Sequence, residues 1–391
     1  MRRILEKGGI LSLSLMLVST YSVSAVIPEM IRFYEGYGRS QVEQLISISS
    51  VAVTLIIILN PWISQILSDR ASIVLGLLFL TLGGAAPVWV QDYGAVFVAR
   101  LIQGAGVGLM NVCAIDMINQ RFEGDERSAL LGYRGSAETV GNVVLTLIVG
   151  RILGSGAEWR YCFLIYFFGA AVLLLYLLFV PNGKREKKVC GTEERTGRRM
   201  EKGGRNGYVF CGLWGGFFVG VNTCCTMRIP SLVVEKGIGT GAQSSLILSL
   251  MMITGVFAGM AFGALKKRYS GRLQGIALCV WGLGLAVMAA AGNLIVLGLG
   301  AVIAGVANNI LITTVFEGIS EQFPPQAVKA ATTCALVGCN LGSSVSPYAL
   351  NAISFINGGM SAPFVVFSAA AVAAGILKPR VPRENHSCDM A

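Results

Sequence analysis

One hydrophobic stretch, residues 100–116, contains several side chains that could bind a ligand or move a proton. It reads Arg-Leu-Ile-Gln-Gly-Ala-Gly-Val-Gly-Leu-Met-Asn-Val-Cys-Ala-Ile-Asp. An ionised side chain at membrane depth costs about 3 kcal/mol or more, so such residues usually line a polar cavity or a proton path. Gly104 and Gly108 form a small-residue face against which another helix can pack closely. These features are typical of a functional helix in a membrane transport protein.

Two charged residues in the apolar segments are candidates for proton coupling. Arg100 lies about six residues below one membrane surface, roughly 9 Å deep, where its charge would modulate a neighbouring acid or bind an anion. In the alternative interpretation its guanidinium snorkels outward or binds carbonyl groups of the first span. Glu138 lies about nine residues into the fifth span, where a partly desolvated carboxyl suits proton exchange. The alternative for Glu138 is an ion pair with Arg134, one helical turn earlier.

A second set of side chains could contact a small-molecule substrate. Arg228 precedes Pro230 near the outer end of the seventh span, and with Arg100 it would form a positive vestibule for anions. An arginine among lipid headgroups is the alternative. The neutral candidates are Tyr21, Asn111, Asn142, Trp214, Asn308, Asn309 and Asn340. For these residues the alternatives are hydrogen bonds between helices and ordinary apolar packing.

The composition indicates that most of the chain lies in a membrane. Of the 391 residues, 54% are hydrophobic and 13% are charged, whereas soluble domains contain roughly 25% charged residues. Segments of about 20 apolar residues are long enough to cross the hydrocarbon layer. The predicted spans are 8–27, 45–66, 73–91, 95–119, 129–152, 160–180, 208–227, 241–264, 272–291, 294–317, 327–350 and 360–377. The predicted fold class is therefore an all-α polytopic membrane protein with twelve transmembrane helices.

No sequence pattern predicts an enzyme, a cofactor or a metal site. The single histidine, His386, lies in the polar tail, and the ten cysteines lack metal-site spacing. The sequence has no phosphate-binding loop and no nucleophile with a histidine partner. The formal net charge of +10 arises mostly from loops and tails, so it predicts no nucleic-acid partner.

The distribution of Lys and Arg predicts the orientation in the membrane. The basic residues Arg2, Arg3, Lys7, Arg70, Arg121, Arg127, Lys266, Lys267, Arg268, Arg272, Lys329, Lys378, Arg380 and Arg383 fall on one side. The loops at 92–94, 292–293 and 351–359 contain no basic residue. Both termini are therefore expected in the cytoplasm, and the protein in the plasma membrane of a bacterium.

The two halves of the sequence repeat each other. At an offset of 201 residues, Gly104 aligns with Gly305, Asp116 with Glu317, Phe122 with Phe323 and Gly141 with Gly342. The predicted domains are a six-helix bundle at 1–181, a charged cytoplasmic linker at 182–206, a second six-helix bundle at 207–378 and a cytoplasmic tail at 379–391. Such pseudo-symmetric bundles place a substrate site between them, near the bilayer midplane.

Several motifs in the sequence resemble those of the major facilitator superfamily. Residues 100–106 match that family's fourth-helix motif, R-x-x-Q-G-x-G. Parts of its loop motif occur after the second span (Leu67, Asp69, Arg70) and after the eighth (Gly263, Leu265, Arg268, Gly271, Arg272). Gly132, Gly141 and Gly150 match a fifth-helix motif of the family's drug:proton antiporters, although Leu145 and Thr146 replace its Gly-Pro centre. The resemblance covers essentially the whole chain and implies the twelve-helix major facilitator fold.

The resemblance also implies ion pairs that close the inner gate. In the family, acids at the inner ends of the fourth and tenth helices pair with basic residues of the loop motif. The corresponding acids here are Asp116, expected to pair with Arg70 or Arg121, and Glu317, expected to pair with Arg268 or Arg272. Solvated helix-end charges and substrate contact are the alternatives. Asp69 belongs to the same loop motif and is included among the gate residues.

The favoured functional hypothesis is a secondary active transporter that exports small amphipathic compounds, including drugs, in exchange for protons. The alternative is proton-coupled uptake of a small organic anion, motivated by Arg100, Arg228 and the missing Gly-Pro. A receptor or scaffold that transports nothing is a minor alternative. The expected partners are a small-molecule substrate, protons and membrane lipids, and the chain is expected to act as a monomer.

Overall fold

The computed structural model describes residues 2–122, 124–180, 202–269, 272–323, 325–357 and 359–377. Regular structure in these ranges is entirely helical. The α-helices are α1 (Arg2–Ser14), α2 (Ile27–Phe33), α3 (Arg39–Ile66), α4 (Asp69–Ala85), α5 (Tyr93–Arg121), α6 (Gly124–Gly154), α7 (Phe168–Phe179), α8 (Lys202–Glu235), α9 (Gly241–Tyr269), α10 (Leu273–Ala289), α11 (Leu294–Gln322), α12 (Pro325–Asn357) and α13 (Ala362–Leu377). The 3₁₀ helices are Ser19–Tyr21, Ser24–Val26, Ala86–Val88 and Trp159–Phe167.

The helix lengths agree with a polytopic membrane protein. Within the described residues, eight helices are long and apolar enough to cross a membrane, and the bent pair Leu5–Ser14 and Ser19–Phe33 could form a ninth span. Two further apolar helices, Leu273–Ala289 and Ala362–Leu377, are shorter. The all-α polytopic fold is therefore confirmed, while the count of twelve spans stays a prediction.

The helices alternate in direction, so the chain connections fall on two faces. The face where α1 begins and α13 ends is called the terminal face. The distal face, at the opposite end of the bundle, contains the connections 34–38, 155–158 and 236–240. Every functional side chain described below can be placed by its distance along a helix from one of these faces.

Two apolar cores fill the described chain. The first contains buried residues between Ile10 and Val180, and the second contains buried residues between Cys211 and Ala371. Cys224, Met227 and Leu350 come from the second half of the sequence but pack in the first core. The cores thus separate at the predicted linker, and the halves also share buried contacts.

Most of the predicted linker and the tail lie outside the described residues. The linker's last five residues, 202–206, are an exception because α8 already begins at Lys202. Backbone hydrogen bonds continue this helix beyond its apolar part, so the seventh helix begins earlier than hydropathy predicts.

The predicted repeat is visible in glycine contacts between helices. A Cβ on Gly104 would overlap the backbone of Ser49, and one on Gly305 would overlap the backbone of Met251. Ser49 and Met251 are 202 residues apart, so the same close helix approach occurs once in each half. Gly141 and Gly342 form a second equivalent pair, against the backbones of Leu15 and Gly216.

Candidate functional site

A polar cluster joins α5 to α6 on the terminal side of the first half. Arg134 Nη2 lies 2.8 Å from Glu138 Oε1, and the two side chains are 15% and 21% exposed. Arg134 Nη2 also donates to Asn111 Oδ1 at 2.5 Å. The ion pair expected as the alternative for Glu138 is therefore present. Both side chains thus stay partly exposed, although Arg134 Nε and Glu138 Oε1 are buried.

Four hydroxyl groups from four helical segments meet between the halves. Tyr21, at the bend of the first span, shares a 2.7 Å hydrogen bond with Ser50 near the middle of α3. Thr223 of α8 and Ser343 of α12 share one of 3.0 Å, and both hydroxyls lie beside the Tyr21 phenol. This neutral hydroxyl cluster is suited to hydrogen-bonding an uncharged group. Its position agrees with the expected substrate region of a two-bundle carrier.

The distal ends of the halves are joined by charged residues and close helix packing. Arg39 of α3 forms an ion pair with Glu235 at the end of α8, and Arg39 Nη1 contacts Met360 Sδ at 2.7 Å. A Cβ on Gly154 of α6 would lie 3.3 Å from the Ala242 Cβ of α9. In this conformation the distal ends of the two halves are in direct contact.

Arg228 is buried in this distal contact and does not face lipid headgroups. Only 1% of its surface is exposed. Its guanidinium contacts Met360 Sδ and donates to Ser354 Oγ, both at 3.2 Å. The expected open vestibule around Arg228 is therefore closed here, because α12 packs against both α8 and α3.

Arg100 is bound by the protein itself. Its surface is 0% exposed. Its guanidinium donates to the carbonyl oxygens of Leu45, Ile46 and Thr20 and to the Tyr166 hydroxyl, at distances between 2.8 and 3.3 Å. In this conformation Arg100 offers no exposed donor to a substrate, since four of its five N–H groups are bound by the protein. Carbonyl binding, the alternative interpretation, is what the structure shows.

The remaining neutral candidates differ in how they are bound. Asn142 accepts from Ser22 Oγ at 2.6 Å, which is a hydrogen bond between helices. Asn309 and Asn340 donate to carbonyls of their own helices. Asn308 Oδ1 and Trp214 Nε1 are buried without a hydrogen-bond partner among the described residues. Trp214 also stacks on Phe217 at 5.8 Å, so aromatic packing accounts for its ring.

The predicted gate residues mostly have other partners. Glu317 lies 2.7 Å from Lys266, not beside Arg268 or Arg272. Arg121 is bound to Glu6 of α1, and Arg70 donates to the Val180 carbonyl at 3.0 Å. The observed partner of Glu317 is thus Lys266 of α9 in place of the expected Arg268 or Arg272. The Asp116 side chain lies outside the described residues, while Asp69 starts α4.

Sequence reasoning missed Glu43, which is buried at the distal contact with 1% of its surface exposed. The predicted second span begins at residue 45, whereas α3 begins at Arg39. The available signal was Arg39 followed by Glu43 at helical spacing before an apolar run. Within the described residues, no three His, Cys, Asp or Glu side chains are grouped closely enough to hold a metal ion.

Two bundles that share a polar boundary define a multi-pass membrane protein of the transporter class. The Major Facilitator Superfamily model matches residues 9–347, so the chain belongs to that family. The predicted family is confirmed, and the chain is a transporter. Its assignment to the drug:proton antiporter branch stays a prediction.

Two relatives match parts of the chain. The puromycin resistance protein pur8 of Streptomyces alboniger is 35% identical over 108 residues, covering 27% of this chain and 20% of that protein. A probable 4-methylmuconolactone transporter of Cupriavidus pinatubonensis is 23% identical over 304 residues, covering 73% of this chain and 69% of that one. The match to the first relative thus spans about a fifth of its length.

Solved structures agree with the fold over nearly the whole length. A D-xylose-proton symporter superposes with a TM-score of 0.75 at 16% identity, covering 96% of this chain and 97% of that one. A POT family transporter in complex with 5-aminolevulinic acid gives a TM-score of 0.74 at 12% identity, covering 95% and 94%. At these identities the likeness establishes the fold.

Proposed function

We propose that the chain is a secondary active transporter that exports small amphipathic organic compounds in exchange for protons. The carrying observation is the Arg134–Glu138 ion pair, which stays partly exposed on the terminal side while the distal ends of the halves are closed. When the transporter opens to the other side of the membrane, a carboxylate in such a position can lose its ion pair with the arginine and bind a proton.

The proposal includes an orientation and a substrate site. The terminal face is cytoplasmic, because the short loops there carry most of the Lys and Arg residues. The hydroxyl cluster of Tyr21, Ser50, Thr223 and Ser343 binds an uncharged polar group of the substrate, and nearby apolar side chains contact the rest. The transporter works as a monomer in the plasma membrane, and Arg100 supports it by fixing the helices.

Everted membrane vesicles test the role of Glu138. An imposed proton gradient should drive accumulation of puromycin or of 4-methylmuconolactone, the compounds after which two relatives are named. Glu138→Gln should abolish this accumulation but retain exchange of labelled for unlabelled compound, because exchange needs no net proton movement. Glu158→Gln is the matched control, since the Glu158 side chain is 62% exposed. Accumulation by Glu138→Gln at the wild-type rate would remove Glu138 from the mechanism.

A second candidate function is proton-coupled uptake of a small organic anion. It is favoured by Arg228, whose Nε is buried without a hydrogen-bond partner among the described residues. Opening of the distal face would offer this donor to an anion. Inward transport that is lost in Arg228→Ala and retained in Arg228→Lys would support this function. Inward transport at the wild-type rate in both variants would exclude the anion site.

A further inference from the structure

A buried acid and a buried arginine from opposite halves lie within reach of each other's charge at the distal contact. Glu43 belongs to α3 and Arg228 to α8, and each is 1% exposed. The other charged groups that act on Glu43 are Arg39 and Glu235. The Cys224 thiol of α8 is also close to both Glu43 and Arg228. Glu43 is therefore buried beside charged groups of the other half, Arg228 and Glu235.

The nearby arginines bind other groups. Arg228 contacts Ser354 Oγ and Met360 Sδ, and Arg39 is paired with Glu235. Glu43 Oε1 and Arg228 Nε are both buried without a hydrogen-bond partner among the described residues. The acid thus has positive charge in its vicinity but lacks a hydrogen bond at this oxygen.

Two opposing effects act on Glu43 when the distal face closes. Attraction to Arg228 favours the ionised carboxylate, whereas loss of water from an oxygen without a hydrogen bond disfavours it. The loss of water is the stronger effect here. The free-energy cost of burying a charge is offset only when the charge is directly paired with good hydrogen-bond geometry. A proton on Glu43 removes the cost of burying the charge.

We propose that Glu43 is a proton-binding site of the transport cycle, which takes up a proton as the distal ends of the two halves close and releases it as they separate. The inference rests on the alternating access of the proposed function and adds a site to it. Because Glu43 binds and releases its proton at the distal face, closure of that face would depend on the pH there, whereas Glu138 lies toward the terminal face.

Hydrogen–deuterium exchange of the purified full-length protein tests the proposal without any substrate. Peptides covering 148–156 and 238–246 report on the distal ends of α6 and α9, whose amides exchange when the halves separate. After correction for intrinsic rates, acid should slow this exchange, by up to about tenfold per pH unit for one proton bound on closing. In the Glu43→Gln variant the amides of both peptides should exchange slowly at every pH, because the neutral glutamine side chain resembles the protonated acid. Glu43→Asp should keep the pH response.

Two further variants separate Glu43 from its surroundings. Arg228→Gln should move the pH response to higher pH, because it removes the nearby charge that favours ionised Glu43. Glu158→Gln should leave the response unchanged, because Glu158 lies at the distal connection 155–158 but its side chain is 62% exposed, so closure does not bury its charge. Faster exchange in acid, or a pH response that persists in Glu43→Gln, would overturn the proposal. If amide exchange shows the predicted pH response but vesicles show no proton-driven flux, the proposed function alone would be contradicted.

Discussion

Arg100 and Tyr166 share a hydrogen bond of 2.9 Å, and the Tyr166 hydroxyl in turn donates to the Ser19 carbonyl at 3.1 Å. Together with its bonds to the carbonyls of Leu45 and Thr20, Arg100 links α5 to the first, second and sixth spans. A buried guanidinium with satisfied donors stabilises such a junction, because its planar fork reaches several acceptors at once. The arginine of the family motif thus holds four segments of one half together.

Arg100→Lys should lower the free energy of unfolding by about 3 kcal/mol, because an ammonium group cannot reach the same acceptors and leaves buried carbonyls unpaired. Tyr166→Phe removes one of these hydrogen bonds and should cost about 1 kcal/mol. Denaturation in detergent with increasing sodium dodecyl sulfate measures both. Loss of transport at unchanged stability in Arg100→Lys would contradict the structural role and support the proton-coupling role instead.

Gly104→Ala and Gly305→Ala should both destabilise the protein, since each Cβ would overlap the backbone of a neighbouring helix. The two losses should be similar because the contacts are repeated in the two halves. We expect a cost of about 1–3 kcal/mol for each. Gly135→Ala is the control, since a Cβ at this helical position meets nothing within 4 Å. Thermal melting in detergent should show the control at or slightly above the wild-type midpoint, and equal midpoints for all three variants would refute the packing argument.

A disulfide between Gly154→Cys and Ala242→Cys should lock the distal ends together. The Cβ positions lie 3.3 Å apart, close to the roughly 3.5–4.5 Å of a disulfide. Oxidation of the double variant should stop transport in vesicles, and a reductant should restore it, because alternating access requires these ends to separate. The single variants control for the native thiols. Transport that continues after complete cross-linking would show that the distal contact does not open during the cycle.

The sequence predicted the large-scale architecture because hydropathy and the positive charge of loops depend on residue type alone. The packing role of Gly104 and its repeat at Gly305 were predictable for the same reason, since glycine spacing marks close helix approach. The i,i+4 arrangement of Arg134 and Glu138 also follows from helix geometry, so their ion pair could be expected.

The partners of the buried arginines could not be predicted in the same way. Arg100 binds backbone carbonyls. Every residue has a backbone carbonyl, so residue type does not indicate which ones accept these hydrogen bonds. Arg228 and Glu43 come near each other only across the contact between the halves, where α12 of the second half packs against α3. Lys266 binds Glu317 in place of Arg268 because side-chain direction on α9, rather than motif position, decides which cation reaches the acid.

Flux through purified protein in proteoliposomes is the most direct test of proton-coupled transport. Labelled puromycin and 4-methylmuconolactone are measured with a pH gradient imposed in either direction and with the gradient abolished by an ionophore. The account predicts that at least one compound moves against its concentration gradient, opposite in direction to the protons, and that movement stops when the gradient is abolished. Flux in the same direction as the protons would contradict export and favour uptake. Flux that is equal with and without the pH gradient would contradict proton coupling altogether.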